Sequence, residues 1–440
     1  MQSLALALCL VLQDAEPVPP TALHAELALR LEAAVDLATP REREQEARRL
    51  ASIREARLED WLALCADFRP RPSRDWTPGP HSLRVDLQVL DEVEDTELNA
   101  WIPASYDESQ PAPLMLVLHG AGGNGNGLPA MWRASAEELG MLVIAPSEAG
   151  ENMGYGFTDR ERASTLSALR WARRQWNVDE RRIFVSGISR GGHLAWDLIL
   201  RYPDLFAGAA PMIGGPRLLT ANGQNNVRFL EHVVGLPIRD LQGEGDDPIL
   251  LATLRHVFEE LEEREAPDAE LILQAGHGHS FDLQAVDWPA FWGGLEREPV
   301  PRQLVRVASR EDETRNAWVA ITRFERGVED DFMPTVRADT WNRLSQNEKL
   351  LYLNERALER NARVEIELTE PGRFTIRSER VDRLRLWLTP EMLDEDGKLR
   401  ARWNGRTKRA EPDPKASVLL ADFVERFDRS FLPVAEVELR

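Results

Sequence analysis

The pentapeptide Gly187-Ile188-Ser189-Arg190-Gly191 is the stretch of this chain best equipped for chemistry. A serine with glycine two residues away on either side can sit on a turn too tight for neighbouring side chains, its hydroxyl presented as a nucleophile. The same pattern also suits a bare tight turn, so its surroundings must discriminate. RRIFVSG ahead of it reads as a buried strand and GGHLAWDLILRYP after it as a helix. That is the strand-turn-helix setting a nucleophile elbow requires.

A serine that attacks a carbonyl needs donors for the oxyanion, a general base, and an acid to orient that base. His119-Gly120-Ala121-Gly122-Gly123-Asn124 follows a second apolar run, PLMLVLHG (113–120). Its glycines leave backbone N–H groups unobstructed, and the predicted donors are those of Ala121 and Arg190. A phosphate loop is the competing use of such glycines, but no GK[ST] ending follows. Downstream of the serine, Gln242-Gly243-Glu244-Gly245-Asp246-Asp247-Pro248 offers three carboxylates: Asp246 is preferred, with Asp247 and then Glu244 as alternatives. Ala275-Gly276-His277-Gly278-His279-Ser280-Phe281 offers two candidate bases, His277 and His279. A His-x-His pair with Asp246 could instead ligate a metal, but His119 and His193 would have to converge from other loops to complete it. The expectation is therefore a site without metal or cofactor.

These residues need a scaffold that brings distant loops together. Strand and helix signals alternate from about residue 83 to 300: PLMLVLHG, ASAEELG, MLVIAPS, STLSALRWARRQW, RRIFVSG, GGHLAWDLILRYP, then two strand-plus-loop units separated by a helix over about 248–264. Such alternation predicts a mostly parallel, doubly wound α/β sheet. Residues 22–68 carry apolar positions at helical spacing, with Pro40 separating helices, and 69–82, RPRPSRDWTPGPHS, reads as a linker. From 303 to 440, WVAITRF, RVEIELTE, GRFTIRS and RLRLWLTP predict an antiparallel β-rich domain, interrupted by the helical WNRLSQNEKLLYLNERALERN.

Composition sets the outer bounds. The 440 residues are 43% hydrophobic and 29% charged, which suits a soluble globular protein of more than one folded unit. A net charge of -20 argues against nucleic acid, whose phosphates require a basic surface. Two cysteines, Cys9 and Cys65, make no disulfide framework. The apolar stretch Leu4–Leu12 is too short to span a bilayer and suits a signal peptide over 1–15, so export is expected, with no integral membrane segment. Lipidation at Cys9 is disfavoured by Leu8.

PAPLMLVLHGAGGNG, VDERRIFVSGISRGGHLAWDLILRYPDLFAGAAPMIGG and GHGHSF resemble the matching blocks of the serine-esterase branch of the α/β-hydrolase superfamily, in particular polyhydroxybutyrate-depolymerase-like and feruloyl-esterase-like enzymes. They are also similar to the catalytic domain of prolyl-oligopeptidase-type peptidases. The resemblance covers about residues 83–296. It implies an α/β-hydrolase fold and a small-molecule or polymeric ester substrate, with Ser189 as nucleophile, Asp246 as acid, His279 as base, and Ala121 with Arg190 as oxyanion donors. His279 is favoured because the family's glycine-histidine-serine-aromatic ending matches there. Arg190 departs from the family, placing a cation near the site and favouring acidic substrates. The N-terminal helical segment is too short for the propeller of the peptidase branch, which favours esterase over peptidase chemistry. A non-catalytic binding protein on the same fold is the third reading. The C-terminal domain resembles strand-rich modules of exported hydrolases, where Trp318, Trp341, Trp387 and Trp403 could form a carbohydrate-stacking surface, though packing is the commoner use of tryptophan.

Overall fold

The computed structural model describes residues 22–147, 158–218, 225–266, 268–329 and 336–440. The expected signal peptide and Cys9 lie outside these residues, as does part of the loop 214–226. Among the described residues no helix is long and apolar enough to cross a membrane.

Three helices come first: α1 (Ala22–Val35), α2 (Pro40–Ala51) and α3 (Leu58–Ala66). Thr39 caps α2 through a reciprocal box with Glu42, and Pro40 occupies the first turn, where its missing N–H costs nothing. They precede an eight-stranded sheet made of β1 (Gly79–Val89), β2 (Glu92–Ile102), β3 (Ala112–Leu118), β4 (Leu142–Ser147), β5 (Val178–Ile188), β6 (Gly208–Met212), β7 (Ile238–Gly243) and β8 (Ala269–Gln274), in the order β1-β2-β4-β3-β5-β6-β7-β8. β1 and β2 form an antiparallel hairpin, β2 runs antiparallel to β4, and every pairing from β4 to β8 is parallel. All seven residues of β3 are buried, as a strand covered on both faces requires. The crossovers carry α4 (Arg133–Leu139), α5 (Asp159–Gln175), α6 (Arg190–Arg201) and α7 (Pro248–Glu263). The core on one side of the sheet packs Met115, Val143 and Phe184 against Trp132, Trp288 and Trp292. Those tryptophans, which lie near the site loops in sequence, pack on one another at ring-centroid distances of 4.9–5.8 Å, Trp132 edge-on to both and Trp288 stacked on Trp292, and belong to that core. α8 (Gln346–Leu358) packs in this same unit, which spans 71–298 and 328–361.

The second compact unit combines the described residues up to 70 with 299–327 and 362–440. Its strands form a four-stranded sheet, β10-β11-β14-β17, and a five-stranded one, β16-β15-β13-β12-β9. They are β9 (Gln303–Ala308), β10 (Arg315–Asn316), β11 (Val319–Phe324), β12 (Ala362–Glu370), β13 (Arg373–Glu379), β14 (Val381–Leu388), β15 (Leu399–Trp403), β16 (Arg406–Ala410) and β17 (Ala435–Leu439). One pairing departs from the antiparallel expectation, because β13 and β15 are parallel. The chain leaves the larger sheet through β14 and so re-enters beside β13 in the same direction. The N-terminal helices share a core with α9 (Ala416–Arg426), in which Leu31, Trp61, Phe423 and Phe427 are fully buried. Arg43 of α2 holds Glu425 of α9 through two hydrogen bonds, 2.8 and 3.0 Å. Cys65 is buried in this core as a free thiol, and burial pushes its pKa up.

Candidate active site

Ser189 sits between β5 and α6 with φ +56° and ψ -114°, a conformation that strains any residue with a Cβ. The surrounding glycines explain why it persists. A Cβ at Gly187 would lie 2.1 Å from the Gly191 carbonyl oxygen, one at Gly191 2.1 Å from that of Leu118, and one at Gly214 2.5 Å from that of Ser189. The turn is pinned by Ser189 N–H donating to Met212 O (2.8 Å) and by His193 N–H closing the first helical turn onto Ser189 O (3.0 Å).

The serine hydroxyl meets His279 Nε2 at 2.8 Å. On the far side of that imidazole, Nδ1 lies 2.9 Å and 3.1 Å from the two carboxylate oxygens of Asp246. Asp246 is only 6% exposed in its side chain, whereas His279 is 53% exposed. The acid is thus fixed and the imidazole reachable. The loops carrying them press together closely: Gly245 N–H donates to His277 O at 2.8 Å, and a Cβ on Gly243 would stand 2.0 Å from Gly278 O.

The other candidates take different places. Asp247 is the N-cap of α7, its Oδ1 accepting from the N–H groups of Ile249 (2.7 Å) and Leu250 (3.2 Å). Glu244 is exposed. His277 Nδ1 meets Ser280 Oγ at 3.4 Å. His119 turns its Nδ1 to Gly120 O at 2.9 Å, and His193 holds Gly215 through Nδ1. Among the described residues no group of three or more His, Cys, Asp or Glu side chains is arranged to hold a metal ion.

The glycine loop after β3 abuts the serine. A Cβ on Gly120 would be 3.7 Å from Ser189 Cβ and 3.4 Å from Ile188 O, and Ala121, the next residue of this loop, is exposed. Arg190 is the first residue of α6, where the backbone N–H groups have no intrahelical acceptor and the helix dipole favours negative charge.

The Arg190 side chain corrects the expectation of a cation at the mouth of the site. Its guanidinium is 4% exposed and turned inward, 3.6 Å from Glu161 of α5. It joins a buried layer between α5 and α6 where Asp197 pairs with Arg162 (2.6 Å) and Arg201 (3.0 Å) and accepts from Asn226 Nδ2 (3.0 Å). Burial alone would raise the Asp197 pKa, but Arg201 and Arg162 outweigh it and hold the carboxyl below its ordinary value.

Two further groups near the elbow take places that sequence reasoning did not assign them. His193 is close enough to feel His279 and Asp246, and burial lowers its pKa. Asp240, fully buried on β7, accepts from Trp196 Nε1 of α6 and from Gln242 Nε2, each at 2.7 Å. Gln242 Nε2 also donates to Gly214 O at 2.8 Å, so one carboxyl ties the helix behind the serine to the strand that leads to Asp246. Burial raises Asp240 to about 7, against the two hydrogen bonds, which lower it.

A sheet of this order, with a serine on a strained turn after β5 and a histidine loop after β8, defines the class of fold: the chain has the α/β-hydrolase fold. No protein-family model matches it. Over 117 residues it is 30% identical to poly(3-hydroxyalkanoate) depolymerase C of Paucimonas lemoignei, a match covering 24% of this chain and 28% of that one. Over 186 residues it is 27% identical to poly(3-hydroxybutyrate) depolymerase of Ralstonia pickettii, covering 36% and 38%. The chain therefore spans well under half the length of these curated relatives. A thermostable esterase of known structure superposes with a TM-score of 0.40 at 19% identity, covering 49% of this chain and 63% of that one.

Proposed function

We propose that this protein is a serine hydrolase that cleaves carboxylic esters through an acyl-enzyme. One observation carries the reading: a continuous hydrogen-bonded line from Ser189 Oγ through both nitrogens of His279 to the nearly buried Asp246. In the proposed mechanism His279 Nε2 takes the hydroxyl proton as Ser189 Oγ bonds to the ester carbonyl carbon. Asp246 holds the imidazole in the tautomer that leaves Nε2 free to accept, and stabilises the imidazolium that results. The tetrahedral oxyanion is met by the N–H groups of Ala121 and Arg190. His279 then returns its proton to the departing alkoxide, and a water deprotonated by the same imidazole releases the acid and regenerates Ser189. The names of the curated relatives favour polymeric as well as small esters as substrates.

A fluorophosphonate probe tests this directly. Covalent labelling mapped to Ser189, with hydrolysis of nitrophenyl esters exceeding that of a chromogenic peptide amide, is the expected result. Absence of an adduct on Ser189 would sink the proposal, and preferential amide cleavage would turn it to the peptidase reading. Asp247 supplies a control. Because its carboxylate caps α7, Asp247→Ala is expected to cost about 1 kcal/mol of stability in urea denaturation while leaving ester turnover close to that of the parent. A loss of turnover comparable to that of an Asp246 variant would instead make Asp247 the acid.

A further inference from the structure

The four tryptophans considered for sugar stacking are committed to other contacts. Trp318 and Trp403 are buried, their indole N–H groups donating to Pro301 O and Ser378 Oγ, while Trp387 lies under Arg315 and Arg385, and Trp341 under Lys349. Chemistry that the ester mechanism leaves unassigned lies instead behind the serine, where a second strained turn follows β6.

Ile213 has φ +43°. A buried, β-branched residue holds a left-handed conformation only when its surroundings impose it. Ser189, at φ +56°, is its neighbour in space: Ser189 N–H donates at 2.8 Å to Met212 O, the carbonyl immediately before Ile213. One hydrogen bond thus joins two strained residues, and relaxation of either would pull on the other. Contacts from two elements oppose it. From β7, Leu241 O accepts from Ile213 N–H at 2.8 Å and Gln242 Nε2 donates to Gly214 O at 2.8 Å. From α6, the helix that carries the serine, His193 places Nδ1 2.5 Å from Gly215 O and 3.0 Å from Gly215 N. With a proton, Nδ1 donates to that carbonyl; without one, it accepts from that amide, so either neutral tautomer holds Gly215.

His193 thereby closes a circuit. From Ser189 O the bond to His193 N–H (3.0 Å) leads to the imidazole, on to Gly215, and back through Gly214 and Ile213 to Met212 O and the Ser189 N–H. Gly214 lies flush against it, since a Cβ there would stand 2.5 Å from Ser189 O and 2.7 Å from His193 N. The serine backbone is held in this circuit at both its N–H and its C=O, which is what keeps a strained residue from turning its hydroxyl away from His279 Nε2.

We infer that His193 is a positioning residue for Ser189, acting through Gly215 to keep the Ile213 turn in place and the serine hydroxyl aligned with His279. Its kinetic consequence rests on the ester hydrolysis proposed above; its structural consequence does not, and the test reads both. His193→Phe keeps a ring without the bond, and His193→Ala removes both. In each, amide hydrogen exchange followed by mass spectrometry should quicken at least about tenfold in peptides covering 187–194 and 212–216, with exchange in the rest of the sheet and circular dichroism at parent values. The kcat for nitrophenyl acetate should fall about 10- to 100-fold with KM within about twofold, and the rate of fluorophosphonate labelling of Ser189 should fall in step. His193→Asn, whose amide offers Gly215 both a donor and an acceptor near the place of Nδ1, should recover most of both losses, an advantage over Phe that a merely space-filling role would not give it. If one of the Phe and Ala variants does not fold, the other decides. Parent exchange rates, or parent kcat, in a folded Phe or Ala variant would overturn the inference. A parent protein that is neither labelled nor active, but whose exchange still separates Phe from Asn, would instead strike the hydrolase reading and leave the positioning intact.

Discussion

Ser189→Ala is expected to reduce hydrolysis of nitrophenyl acetate by about 10⁴- to 10⁶-fold while leaving the melting temperature near that of the parent. The two halves follow from different features. In the proposed mechanism turnover falls because Oγ, 2.8 Å from His279 Nε2, is the atom that would take up the acyl group. What survives is catalysis by the oxyanion donors acting on a bound ester and water. Stability is spared because alanine keeps the Cβ that already occupies this position at φ +56°, so neither a new clash nor a new relief of strain enters. The backbone of Leu118, Met212 and Gly214, which packs on the turn, is untouched. Initial rates and thermal melts on the same preparation check both halves. Retained turnover in a folded Ser189→Ala protein contradicts the mechanism; lost turnover with a large fall in melting temperature would point to an elbow that needs the hydroxyl for its fold.

What could be read from the chain depended on how local the determining contact is. The elbow was legible because Gly187 and Gly191 are required by backbone oxygens only a turn away or on the neighbouring strand. The parallel run of strands from β4 to β8 followed from the alternation of strand and helix signals, each helix serving as a crossover. The choice among Glu244, Asp246 and Asp247 also had a local signal: Asp followed by Pro is the pattern of an N-cap and first helical residue, and Asp247-Pro248 is used that way in α7. Arg190 was misjudged because its direction is set by Glu161, which lies on a different helix and is itself the capping partner of Thr158. Nothing within the pentapeptide reports that. The fate of the tryptophans was equally non-local, since Trp387 and Trp403 both sit in alternating strands and differ only in what covers them. Asp240 lies in IRDLQG, an ordinary strand with polar alternation, and only the indole of Trp196 arriving from α6 makes its carboxyl a buried tie.

That tie gives the second large effect. Asp240 is held at about 7 in the folded protein against about 3.9 in an unfolded chain. The native state therefore binds the extra proton between those values. The stability this proton confers is fully present below about pH 4 and is lost progressively up to about pH 7, because over that interval the unfolded chain gives up its proton while the native carboxyl, with no counter-charge among its hydrogen-bond partners, the Trp196 indole and the Gln242 amide, keeps it. Over the whole interval the change amounts to about 4 kcal/mol. Asp240→Asn removes the titration while keeping an oxygen acceptor for Trp196 Nε1. Its amide nitrogen faces Gln242 Nε2 less favourably, which adds a cost that does not vary with pH. Urea midpoints of parent and variant measured from pH 4 to pH 9 should accordingly converge or cross, the variant gaining on the parent by up to about 4 kcal/mol as pH rises. Every other titrating group is common to the two proteins and cancels from the difference. A difference that stays flat across pH 5–8 would mean that Asp240 is ionised throughout and that its burial is compensated by a group other than Trp196 and Gln242. A difference that rises from pH 4 to about 7 and then levels off would show that this carboxyl, which joins the helix behind Ser189 to the strand before Asp246, keeps its proton in the native state up to near neutrality.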